Sequence, residues 1–203
     1  MDDSKNNNQV MLIGKIITPC SFGYHAYGDD FYQMYVAADR LSGYTDRIPL
    51  VMSGCQVDTQ RIYTGQNIRV NGQFRSRNSN HHMELFVYAQ ELQDMPVQPN
   101  TCTDNNMVWL DGYICKQPRW RRTPLGRGIA DLLVAVNRQF GNSDYIPCIC
   151  WGRNATRAAD LKVGSHVQLR GRIQSREYQK RVGGYIERRT AYEVSVSRLE
   201  YLP

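Results

Sequence analysis

No run in this 203-residue chain approaches the roughly 20 apolar residues of a helical membrane span, so a membrane protein of that kind is excluded. The polar start Met1-Asp-Asp-Ser-Lys-Asn-Asn-Asn lacks the apolar segment of a secretory signal, and a cytoplasmic protein is the default expectation. No Cys-x-x-Cys pair occurs among the 6 cysteines. Cys20, Cys55, Cys102 and Cys115 are scattered, and only Cys148 and Cys150 lie close together. Positions i and i+2 share a strand face, so that pair has the placement for a metal, but without partner ligands reduced structural thiols are the favoured reading. His81-His82 falls in a polar turn and reads the same way. Asp29, Asp30, Asp39 and Asp46 come with no metal-binding carboxylate motif, and the chain has no nucleophile with a base and no phosphate-binding glycine loop. Neither an enzyme nor a cofactor is expected.

What is present is a repeat. Asn8-Gln-Val10-Met-Leu12-Ile-Gly14-Lys-Ile16 returns as Asn106-Met-Val108-Trp-Leu110-Asp-Gly112-Tyr-Ile114, with every shared residue 98 positions on. Asp46, Pro49 and Gly54 match Asp144, Pro147 and Gly152 at the same offset. After one inserted residue, Gly65, Gly72 and Arg77 correspond to Gly164, Gly171 and Arg176, now 99 on. A period of about 100 residues is too long for a solenoid repeat and fits a duplicated small domain. Residues 1–99 and 100–203 are therefore read as two domains. Between them, Gln93 to Asp104 contains Pro96 and Pro99 and no periodicity, which reads as a short linker with the boundary near Asn100.

The local pattern is mostly strand. Val10 to Ile17 and Val108 to Ile114 open the copies, Tyr32 to Ala38 and Asp131 to Val136 follow, and Ile48 to Met52 and Ile146 to Trp151 form third strands. A helix is expected over Arg153 to Leu161, capped by Asn154 and closed by Gly164, with a counterpart over Cys55 to Tyr63 closed by Gly65. Ile68 to Arg77 with Met83 to Leu92, and Val167 to Tyr178 with Ala191 to Leu199, read as closing hairpins. Three strands, a short helix and two strands is the order of the OB-fold, a five-stranded Greek-key barrel that binds oligonucleotides. The fold expected is all-β with short helices, as two tandem OB-fold domains.

The copies differ in charge. Residues 1–99 carry 8 basic and 10 acidic side chains, and residues 100–203 carry 17 and 9, a net −2 against +8. A polyanion is drawn to the second half. Its basic stretches are Lys116 to Arg122, containing Arg119, Trp120, Arg121 and Arg122, then Arg127, Arg153 and the hairpin with Arg172, Arg176, Lys180, Arg181, Arg188 and Arg189. Trp120, Tyr178 and Tyr185 are interleaved with these residues. Arginine suits both phosphate pairing and stacking on bases, although basic runs are also commonly solvated faces. Trp109, in a first strand, reads as core or subunit interface.

The second copy resembles the bacterial single-stranded DNA-binding proteins. The resemblance rests on Asn106-x-Val-x-Leu-x-Gly112, Pro118 with Thr123-Pro-x-Gly126, Leu133-Val-Ala135-Val, Tyr145 to Gly152, Gly164-x-x-Val-x-Leu-x-Gly171, Ile173 to Tyr178 and Tyr192 to Val196. The first copy resembles that family more faintly. The family stacks bases on four aromatic positions, which fall here on Phe140, Tyr145, Trp151 and Tyr178. Core packing is the other reading of Trp151, and Phe140 stands where the family more often has tryptophan. The first copy has Ser42, Arg47, Ser53 and Ser79 at the matching places.

The resemblance implies sequence-independent binding of single-stranded DNA in replication, recombination or repair. RNA fits the same contacts, because stacking and phosphate pairing do not inspect the 2′-hydroxyl. It also implies four OB domains from a homodimer, with Val10 to Ile17 pairing against a neighbour and the acidic first barrel kept for assembly. The alternative for that barrel is a different stacking surface made by Tyr24, Tyr27, Tyr32, Tyr35 and Tyr44. The family's acidic, hydrophobic C-terminal tip has no counterpart in Leu199-Glu-Tyr-Leu-Pro203, so binding without the usual recruitment of partner proteins is expected, in an accessory, plasmid, phage or primosomal setting. An adaptor like the primosomal OB proteins, working mainly through protein contacts, is the alternative function.

Overall fold

The computed structural model describes residues 7–56, 58–79, 82–95, 104–138 and 141–202. Strands β1 (Asn8–Ile16), β2 (Ser21–Ala26), β3 (Asp29–Asp39), β4 (Thr45–Ser53), β5 (Asn67–Ser79) and β6 (His82–Asp94) form the first copy. The second comprises β7 (Asn106–Ile114), β8 (Arg119–Arg122), β9 (Gly128–Asn137), β10 (Ser143–Trp151), helix α1 (Arg153–Ala159), β11 (His166–Val182) and β12 (Tyr185–Leu202). Period-two alternation sets the faces: Ile48, Leu50 and Met52 of β4, like Ile146, Cys148 and Cys150 of β10, are buried, while their odd-numbered neighbours Arg47 and Tyr145 face out.

The strands join in one 12-stranded sheet of order β2-β3-β4-β6-β5-β1-β7-β11-β12-β10-β9-β8. Contacts β1–β3 and β7–β9 close each half into a barrel, and β4–β6 and β10–β12 are its parallel pairs. The order reads the same outward in both directions from β1–β7, so each half is an OB-fold related to the other by a pseudo-twofold axis. The repeated glycines explain themselves here. A Cβ at Gly14 or Gly112 would run into the carbonyl oxygen of Ala37 or Ala135 at the barrel closure. One at Gly72 or Gly171, each beside a β-bulge, would meet the carbonyl oxygen of Tyr88 or Ser195.

Several expectations need correction. A sixth short strand, β2 or β8, pairs outside β3 or β9 in each barrel. The Cys55 to Tyr63 helix is reduced to a 3-10 turn, Thr59–Arg61. The first copy has no alanine there, whereas Ala155 and Ala158 of α1 are fully buried in the core. Asn154 does not cap α1. The cap is Gly152, with no side-chain bond, and the Asn154 amide donates to the Ser197 carbonyl at 3.0 Å. Gly164 and Gly65 lie past the helical segments, donating their N–H groups to Ile114 and Ile16 at 2.8 Å each. His82 is in β6, not a turn. His81 and the linker boundary near Asn100 lie outside the described residues.

The partner of β1 proves to be the same chain. Antiparallel pairing with β7 sets Val10 opposite Val108 and Asn8 opposite Leu110, so the 98-residue offset places equivalent residues across the axis. Two buried carboxylates fasten the barrels to each other. Asp46 of the first accepts hydrogen bonds from the Ser175 N–H of the second at 2.6 Å, from its hydroxyl at 3.0 Å and from Arg40 at 2.6 Å. Asp144 of the second accepts from the Ser76 N–H of the first at 2.6 Å and from Arg138 Nε at 2.7 Å. Arg40 and Arg138 each donate onward to the carbonyl of that same serine, at 3.1 and 2.7 Å. Arg172 adds a second cation to Asp46 at 3.0 Å. Burial alone would raise the Asp46 carboxyl, but the Arg40 hydrogen bond, followed by the Ser175 N–H, holds it below its ordinary value.

Two outcomes follow from this packing. Asp46→Asn leaves the half-buried guanidinium groups of Arg40 and Arg172 without their counter-charge and is expected to cost about 3 kcal/mol at neutral pH in chemical denaturation. Because the folded carboxyl is depressed, its contribution is present above the unfolded value near 4 and is lost as pH falls through the folded one; the variant's stability should therefore fall less steeply on acidification. Cys148 and Cys150 are unpaired and face the core, and burial pushes the Cys150 thiol up to about 12. Both are expected to resist a thiol reagent in the native protein and to react only after unfolding.

Candidate nucleic-acid interface

On β10 the outward residues are Tyr145, Pro147, Ile149 and Trp151. Tyr145 is 45% exposed and Trp151 39%, unusual values for large rings on a central barrel strand. Register extends this face across three strands: Trp151 is opposite Ile129 of β9, which is opposite Arg121 of β8, and Ile149 is opposite Asp131, which is opposite Arg119. Arg119 and Arg121 therefore share a face with the two rings, while the pleat turns Trp120 and Arg122 to the other side. Trp120 covers Gly128 there, with ring atoms 3.4 Å from where a Cβ would stand. Arg121 is tied to Asp131 at 2.7 Å.

The β11–β12 hairpin projects beyond the barrel on a two-residue Gly183-Gly184 turn with φ of 56° and 89°, the left-handed pair that tight hairpins need. Tyr178, 37% exposed, lies opposite Arg189, and the Arg176 guanidinium sits over its ring at 6.0 Å. Lys180 and Arg188 are exposed on the same hairpin, Arg153 at the start of α1, and Arg127 on the loop before β9. Phe140 lies outside the described residues.

Arg172 is the expected contact that the structure draws inward. Its guanidinium is committed to Asp46, and its buried Nε has no hydrogen-bond partner among the described residues. Sequence position alone placed it in a basic hairpin; only the inter-barrel contact shows it serving the seam. Trp109 is half-buried beside that seam, opposite Gln9 on β1 and Arg170 on β11, lining a groove of about 830 Å³ with Met11 and Met107.

The first barrel is differently furnished. Ser53, at the Trp151 position, is buried and hydrogen-bonded to Asp29. Across the strand from Ser53, however, stands Phe31 in place of Ile129, and beyond it Tyr24 in place of Arg121. Tyr24 and Phe31 stack at 4.9 Å with 12° between their planes, and the Arg77 guanidinium lies 4.1 Å from the Tyr24 ring. Arg75 lies over Tyr88 at 4.2 Å, and burial, then the charge of Arg138, pull its guanidinium below its ordinary value. The five tyrosines grouped in the sequence do not form one surface: Tyr32 packs on the core, Tyr44 lies under Arg40 at 4.6 Å, and only Tyr24 and Tyr27 reach the groove beside β2. Phe31 and Arg75 carried no sequence signal because their neighbours are set by strand register, whereas the repeat marks Arg77 as the counterpart of Arg176.

Comparison with known proteins agrees with this geometry. The single-strand binding protein family matches residues 105–202. Single-stranded DNA-binding protein A of Bacillus subtilis is 36% identical over 104 residues, covering 48% of this chain and 59% of that protein. Single-stranded DNA-binding protein 2 of Listeria innocua is 42% identical over 81 residues, 36% of this chain and 51% of its own length. The chain thus spans a little over half the length of these relatives. The whole fold is similar to the crystal structure of wild-type single-stranded DNA binding protein from Thermus aquaticus, with a TM-score of 0.77, 23% identity and coverage of 97% of this chain and 93% of that one. That likeness takes in both barrels and concerns the fold, whereas the family match falls on the basic barrel with the exposed rings. It is the second barrel, residues 105–202, that matches the single-strand binding protein family.

Proposed function

We propose that this protein binds single-stranded DNA without regard to sequence, in replication, recombination or repair. The observation carrying this reading is the exposure of Tyr145 and Trp151 on one face beside Arg119 and Arg121, with Tyr178 and Arg176 on the projecting hairpin. Exposed rings on a well-packed strand gain nothing from burial, but each accepts an unpaired base, which duplex DNA withholds in its stack. The guanidinium groups, with Lys180 and Arg188, follow the phosphates. Rigid strands hold the rings apart in advance, so little ordering cost falls on the protein when the strand arrives. Arg172 is left out of the phosphate set because Asp46 holds it.

The protein acts as a homodimer in this reading, giving four barrels. The groove at the seam supports it: Met107 is 45% exposed there, next to Trp109 and Met11, an apolar strip along the pseudo-twofold axis that suits self-association through a face.

Fluorescence anisotropy with a labelled dT strand, an equal-length duplex competitor and a salt series tests the binding. Tight, salt-sensitive preference for the single strand is expected, with a slope in log salt of about −0.7 per phosphate contact. Trp151→Ala should weaken binding by about 1–3 kcal/mol with little change in slope. Arg176→Gln should reduce the slope, whereas Arg172→Gln should leave it unchanged and lower stability instead. Absence of a single-strand preference, or normal binding by folded Trp151→Ala, overturns the stacking assignment. Light scattering should give twice the 23.4 kDa chain mass, and a monomer mass would remove the dimer.

A further inference from the structure

The β11–β12 hairpin outruns its counterpart in the first barrel. Its strands have 17 and 18 residues, against 13 each for β5 and β6. The last pair of β5–β6, Ser79 with His82, corresponds to Tyr178 with Arg189. Beyond that pair the second copy continues through Gln179 with Arg188, Lys180 with Glu187, Arg181 with Ile186 and Val182 with Tyr185. Every residue of β11 from Arg176 onward is exposed, so the extension serves no core. It carries the tip about 13 Å past Tyr178, clear of the barrel.

The tip is apolar on both faces. Val182 and Tyr185 share the face of Tyr178 and Lys180, whereas Ile186 shares the other with Arg181 and Arg188. Tyr185 is 80% exposed and Ile186 60%. The turn itself needs neither, because Gly183-Gly184 supplies its left-handed pair. Apolar side chains grouped on an exposed projection mark a contact surface.

The charges indicate what covers it. Glu187 is taken by Arg189 at 2.7 Å, while Lys180 on one face and Arg181 and Arg188 on the other have no carboxylate partner among the described residues. The ligand is therefore negative along both faces and apolar at the tip. A single strand lies along one face and leaves Ile186, Arg181 and Arg188 unused. A duplex end answers both faces, since its two backbones diverge on either side of a stacked pair.

We infer that this tip is a site for the junction between single-stranded and duplex nucleic acid. Val182 and Tyr185 stack on the last base pair beside the strand held at Tyr178. Ile186 keeps the displaced strand apart, and Arg181 and Arg188 meet its phosphates. Apolar wedges unstack base steps, and an end pair yields most readily because it is stacked on one side only. The inference rests on the proposed single-strand binding and adds a second kind of ligand to it.

The test uses the full chain, a dT strand of about 15 nucleotides, since one OB fold covers roughly 4–16, and the same strand as the arm of a duplex. A fluorescent adenine analogue, brighter when unstacked, occupies the pair next to the junction. The tailed duplex should bind about five-fold or more tighter than the lone strand, and the analogue should brighten on binding. Tyr185→Thr combined with Ile186→Thr keeps strand-forming residues at exposed positions. It should retain the melting temperature and the lone-strand affinity while losing both the gain and the brightening, and Tyr185→Trp should preserve them. If the parent prefers single strands but gains nothing from the duplex, with arms of either polarity, this inference fails alone. It fails equally if the double variant keeps the gain, or weakens on the lone strand and the tailed duplex in the same proportion. A lower mass for the double variant in light scattering assigns the tip to a second copy of the chain and overturns the junction site. If the parent shows no preference for single strands over blunt duplex, the proposed function fails and this inference with it.

Discussion

Everything in this molecule hangs on two carboxylates that sit in one barrel and are satisfied by the other. Asp46 is fully buried and Asp144 nearly so, and each ends its hydrogen-bond set on a backbone N–H across the axis, Ser175 or Ser76. A buried carboxylate is costly unless its lone pairs are filled. Here neither barrel fills them unaided, which makes the domain pair, rather than the domain, the stable unit. The β1–β7 ladder supplies backbone hydrogen bonds along the axis, and the carboxylates fix the two barrels on either side of it.

With the frame held in common, the surfaces are free to diverge. The row Arg121, Ile129 and Trp151 in the second barrel is Tyr24, Phe31 and Ser53 in the first. Aromatic area is moved across the sheet more than it is lost. The barrel interiors change far less, because Ile48, Leu50 and Met52 and their counterparts Ile146, Cys148 and Cys150 must fill similar layers.

The fold was legible because its constraints are local and doubled. Asn8 and Asn106 recur since each side chain brackets a strand across the barrel, bonding Phe74 or Ile173 through both N–H and carbonyl. The glycine pairs recur because a carbonyl oxygen occupies the space of a Cβ. On one strand the resemblance singled out Tyr145 and Trp151, and both rings stand on its outer face, exposed. The site was illegible wherever contacts depend on what lies across a strand or across the axis: Arg172 looked like its basic neighbours, and Phe31 carried no signal of its own. The 3-10 turn in place of a helix and the glycine cap of α1 likewise reflect neighbours and backbone room that propensity alone does not encode.

Joining the barrels in one chain also alters what the β1–β7 seam permits. When identical single barrels meet at a twofold axis, every substitution appears on both sides, and dilution separates the pair. Covalent connection makes the encounter intramolecular, so its effective concentration is set by the linker and not by the cell. Each basic barrel is then delivered with one acidic barrel in fixed one-to-one proportion, and a change on one side of the axis no longer has to suit its own mirror image.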